Sequence, residues 1–104
     1  MSISKIEINF QAAQMQAKKL EDIADNMKHL ANQQLANTIQ EMSACWKGEA
    51  ATSYFSKADK VKQDIAATAQ TLYAIAESIR EEARRIYEAE MKAVALAQSN
   101  TNHT

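Results

Sequence analysis

The sequence predicts an all-α protein, and three observations carry that prediction. Across 104 residues there is no proline and a single glycine, so almost nothing interrupts the backbone. Ala, Glu, Lys, Gln, Met and Leu, all strong helix formers, dominate the composition. Apolar residues recur three or four positions apart, and no stretch alternates as a strand would.

The first helix is predicted over about residues 5–43. Ile6, Phe10, Ala13, Ala17, Leu20, Ala24, Met27, Ala31, Leu35, Thr38 and Met42 form its apolar stripe. Ser4 is placed to cap its start, with Glu7 completing a capping box. A turn follows over about 44–49, where "SACWKGEA" gathers the only cysteine, tryptophan and glycine. Gly48 can adopt backbone angles barred to other residues, which suits a sharp reversal. Trp46 offers an apolar plate to cover the bend, and Lys47 between them faces solvent. The competing reading is one unbroken helix that Gly48 merely weakens, at about 1 kcal/mol. A second helix over about 50–97 repeats the pattern with Ala51, Tyr54, Ala58, Val61, Ile65, Ala69, Leu72, Ala76, Ile79, Ala83 and Ile86. The ending "AQSNTNHT" loses the pattern and is expected to fray as a flexible tail. The whole chain, 1–104, is then a single hairpin domain.

Each stripe is wider than a two-helix seam needs. Ile23 and Leu30 lie on one flank of the first helix, with Phe10, Leu35 and Ile39 on the other. A lone hairpin leaves apolar flank in water at roughly 25 cal/mol per Å². Two hairpins pairing into a four-helix bundle would cover it, through Phe10, Leu20, Met27, Leu35, Ile65, Leu72, Ile79 and Ile86. Alanines at 58, 69, 76 and 83 would admit close backbones; the alternative is that less regular helices cover themselves.

Composition excludes several function classes. A net charge of −1, with both signs interleaved, argues against a basic nucleic-acid surface or a polybasic membrane patch. No apolar run approaches the roughly 20 residues of a membrane span, and the start "MSISKIEINFQAAQ" has no secretory signal pattern. By composition alone the protein reads as cytoplasmic. No cofactor, metal or catalytic set is expected: His29 reads as helix surface, His103 lies in the tail, and Cys45 has no nearby ligand pattern. Cys45 is expected to be a small, at least half-buried neighbour of Trp46; an intermolecular disulfide is the sharper alternative. Met27 and Met42 read as core. In "EEARRIYEAE", Glu81 is spaced to pair with Arg84 and Arg85 on a solvated face.

The length, the central Trp46-Lys47-Gly48, the proline-free helices and the following Tyr54-Phe55 together resemble the WXG-motif family, the ESAT-like small substrates of type VII secretion. The resemblance covers essentially the whole chain. It implies a non-enzymatic protein, paired with itself or a sister chain in an antiparallel four-helix bundle. It also implies export without a cleaved signal peptide by an ATPase-driven membrane machine, replacing the cytoplasmic reading with a secreted protein that passes through a cytoplasmic pool. The family's C-terminal signal is a tyrosine followed four residues later by an acid. Here Tyr87 precedes Glu90 by three positions, whereas Tyr73 and Glu77 match the spacing but lie farther inside the helix. Either pair shares one helical face; Tyr87 and Glu90 are favoured for position, and ordinary helix surface competes with both. A cytoplasmic helical adaptor that is never exported is the alternative function, and a membrane-surface protein a weaker third.

Overall fold

The computed structural model describes residues 2–102. It is a helix–turn–helix hairpin, as predicted. Helix α1 spans Ile3–His29, a π-helical segment follows at Leu30–Leu35, α2 spans Ala36–Cys45, and α3 spans Glu49–Asn102. No strand occurs among the described residues.

The ends differ from expectation. Ser2, not Ser4, caps α1: the Lys5 amide donates to Ser2 Oγ at 3.2 Å and the Ile6 amide to the Ser2 carbonyl at 3.0 Å. The helix thus begins a little earlier, and Lys5 stands where a capping box would place an acid. At the other end, α3 continues to Asn102 although its apolar pattern has stopped. Alanines through "KAVALAQ" sustain the helix by intrinsic propensity, without needing burial. His103 lies outside the described residues.

The chain divides into two compact units: one of residues up to Leu20 together with those from Ala74 on, the other Glu21–Tyr73. In the first, Ile6, Ala17 and Ala76 are buried, and the Phe10 and Tyr87 rings meet at 4.7 Å between centroids. In the second, the buried residues are Ala24, Ala31, Ala51 and Ala69. Ala17, Ala24 and Ala31 are seven apart, as are Ala69 and Ala76, so each helix turns a row of methyl groups inward. The alanines assigned to bundle packing therefore close the hairpin itself, with Ala69 and Ala76 fully buried and Ala58 and Ala83 half-buried. Methyl seams bring backbones close but remove little apolar area from water. Apart from Ile6, the larger apolar side chains stay partly outside.

The inward phase departs from the predicted stripe in both helices. Before the turn, the inward positions after Ala31 are Leu35, Ile39 and Ser43, whereas Thr38 is exposed and Met42 is 38% exposed. The cause is the π-helical segment: i→i+5 bonds hold one more residue per turn, so the stripe advances by one position. After the turn, Phe55 and Lys62 face inward in place of Tyr54 and Val61, which are 62% and 53% exposed. Lys62 is half-buried and carries its ammonium to Asp59 at 3.3 Å. Farther along, Tyr87 takes the inward place and Ile86 is 50% exposed.

Candidate functional site

The turn is three residues. Trp46 leaves the helix in extended conformation (φ −115°, ψ 114°), while its amide still donates to the Met42 carbonyl at 2.8 Å. Gly48 has φ 114°, the positive region that L-residues avoid. From there α3 begins at once: the Thr52 amide and hydroxyl both donate to the Gly48 carbonyl, at 3.0 and 3.1 Å. Glu49 in its first turn complements the helix dipole. The Lys47 ammonium returns to the Ser43 carbonyl at 3.0 Å, covering one of the carbonyls left open at the end of α2.

Trp46 closes the bend as an aromatic cluster. Its ring lies 5.6 Å from Tyr54 and 5.7 Å from Phe55, the latter edge-on at 83°. It remains 39% exposed, so the clasp also presents an apolar plate outward. Cys45 is exposed, not tucked beside Trp46; its thiol reaches back to the Glu41 and Met42 carbonyls at 3.7 and 3.5 Å.

A Cβ added at Gly48 meets nothing within 4 Å, so glycine is required there by backbone angle and not by space. Gly48→Ala is therefore expected to lower stability by about 1–2 kcal/mol, the cost of holding an L-residue in that conformation. Urea titration followed by circular dichroism measures it; an unchanged midpoint would show that the turn relaxes to negative φ.

The two tyrosine–acid pairs sit in different circumstances. Tyr87 is half-buried against Phe10, and Glu90 lines the same hollow as the two rings. Tyr73 donates its hydroxyl to Asp25 Oδ1 across the hairpin, and Glu77 is exposed. That hydrogen bond holds the Tyr73 phenol above its ordinary value, with smaller contributions from lost solvent and from the charges of Asp25 and Glu21. The folded state thus retains the Tyr73 proton where the unfolded chain has lost it. The linked stability is fully present below pH 10, the ordinary phenol value, and is lost as pH rises through the raised one. Tyr73→Phe is expected to flatten this alkaline decline in melting temperature. A decline identical to that of the parent chain would mean the bond does not form in solution.

Sequence reasoning missed Asp25 and the Phe10–Tyr87 stacking. Both pairs straddle Gly48 almost symmetrically, so folding the sequence about that glycine would have found them. In "EEARR", Arg85 pairs with Glu82 instead of Glu81. His29 is exposed on the helix surface. Among the described residues no three His, Cys, Asp or Glu side chains gather as a metal site, and no helix is long and apolar enough to cross a membrane.

Comparison with known proteins returns no match among curated proteins or solved structures. A model of the family described as proteins of 100 residues with WXG matches residues 5–91. That match spans both arms of the hairpin and the glycine-bent, tryptophan-clasped turn, and on it the chain belongs to the WXG family.

Proposed function

We propose that this protein is a non-enzymatic substrate of a type VII secretion system, exported as a dimer with a second copy or a related WXG chain. WXG proteins of this kind are small ESAT-like type VII secretion proteins that pair with related partners. The observation that carries the dimer reading is the division of labour among apolar residues. The hairpin buries mostly alanine, while Ile8, Met15, Ile23, Tyr54, Val61, Ile75, Ile86 and Leu96 stay exposed. A second hairpin laid along these flanks would remove them from water at roughly 25 cal/mol per Å².

Two elements serve recognition. Trp46 and Gly48 set the bend and its aromatic plate. Tyr87 and Glu90 form the C-terminal element, because Tyr73 is engaged within the hairpin by Asp25. After export the protein acts outside the cell as an effector or co-secretion partner.

The test compares the protein in medium and in cells, with and without the export ATPase, alongside molar mass by light scattering. ATPase-dependent appearance in the medium and a dimeric mass are expected. Retention in cells whether or not the ATPase is present would overturn export in favour of a cytoplasmic adaptor. A well-ordered monomer that no sister chain binds would overturn the pairing.

A further inference from the structure

The wide turn at Leu30–Leu35 holds one residue more than a regular helix needs to keep its inward row in phase. Counted from Ala31, the half-buried positions Leu35, Ala36, Ile39 and Ser43 fall at steps of four, five, eight and twelve. With one residue taken out of the wide turn, the steps become three, four, seven and eleven, the stripe of a regular α-helix. With the residue kept and the turn closed to α, a different row points inward. Ala24 and Ala31, both buried and seven apart, then continue through Thr38 to Cys45, with Met42 beside them. In the structure Thr38 and Cys45 are exposed, and Met42 is 38% exposed. One helix end therefore carries two inward rows, offset by one position.

The two rows are closely matched. The π row seats Ile39 but gives an inward place to Ser43, whose hydroxyl bonds back to the Gln40 carbonyl at 2.8 Å. The α row gives up Ile39 and gains Met42, of comparable apolar payload. Regular i→i+4 bonding favours closing the turn. Its central residues Asn32, Gln33 and Gln34 are exposed amides, so their burial does not hold it open. The segment, α2 and the following turn all lie in the unit Glu21–Tyr73, which makes the change a local one.

We infer that Leu30–Leu35 is a register switch. Closing the wide turn screws α2 about its axis by about 100° with an advance of about 1.5 Å, the values for one residue. Met42 and Cys45 are drawn inward, while Ile39 and Ser43 turn out. The helix end before the Trp46 turn thus has two alternative outer surfaces, and a binding mate selects the one it contacts better. This switch belongs to the hairpin itself and is independent of export and of pairing.

Cys45, outward in one register and inward in the other, reports on the switch. The test follows its alkylation by iodoacetamide in the full chain under native conditions, alongside melting temperature. Ile39→Gln weakens only the π row and is expected to slow alkylation about threefold, as the population moves to the closed turn. Met42→Gln weakens only the α row and should not slow it. Deleting Gln33 fixes the observed row in regular helix. The thiol should then stay fully reactive even with Ile39→Gln added, and the melting temperature should equal or exceed that of the parent. Deleting Gln16, exposed within the regular helix α1, should instead lower the melting temperature by throwing the row out of phase. An unchanged rate in Ile39→Gln, or a faster one from a loosened segment, would overturn the switch. So would slowing in Met42→Gln, or slowing by Ile39→Gln after Gln33 is removed. If loss of Gln33 destabilises the chain as much as loss of Gln16, the wide turn holds no spare residue and the switch fails.

Discussion

Trp46→Ala is expected to reduce export about tenfold, equivalent to about 1.4 kcal/mol of lost recognition, while the chain stays helical. The stability cost should be about 2 kcal/mol. That is below the figure for a fully buried aromatic, because Trp46 keeps 39% of its surface in water. It is above that of an ordinary surface change, because two ring contacts are lost with it. The turn hydrogen bonds at Gly48 and Lys47 use backbone carbonyls and an ammonium, and survive the substitution. Export and helix content should therefore separate. If secretion and circular dichroism both match the parent chain, the tryptophan plays no part in recognition.

Ala69→Leu is expected to be the most damaging single change to the fold. Ala69 is fully buried, leaving no room beyond its methyl group. Leucine there forces the helices apart or into strained rotamers, at about 3 kcal/mol, the upper part of the range for overpacked cores. Ala67→Leu, two residues away and exposed, should stay within about 0.5 kcal/mol of the parent. Chemical denaturation of the pair separates seam from surface. Similar stability for both variants would show that the helices do not meet at Ala69.

Helix, turn and helix were legible because they depend on local properties: propensity, periodicity and the backbone freedom of one glycine. What was not legible was phase. Between Met27 and Leu35 the apolar spacing runs four and four instead of alternating, and the π-helical segment lies there. Yet Val61, Ile65 and Ala69 show the same double step within regular α-helix, so spacing alone could not distinguish a wide turn from drift. Likewise Tyr54 and Phe55, or Ile86 and Tyr87, are adjacent apolar residues, and which turns inward depends on the ring it meets across the hairpin. Phe10 settles one case and Trp46 bears on the other. At the candidate site, the aromatic-glycine turn was legible from residue rarity alone. Engagement of Tyr73 by Asp25 was not, because it pairs residues distant in sequence whose helical faces each look ordinary.

The row of methyl groups along each helix also bears on how related chains can diverge. Such a lining is nearly featureless and holds little information about which mate to choose. Under the proposed pairing, discrimination among sister proteins falls to the outward flanks, where residues such as Ile23, Tyr54 and Val61 are exposed. A lineage can duplicate the gene and rewrite those positions to change allegiance, while the inner lining stays untouched.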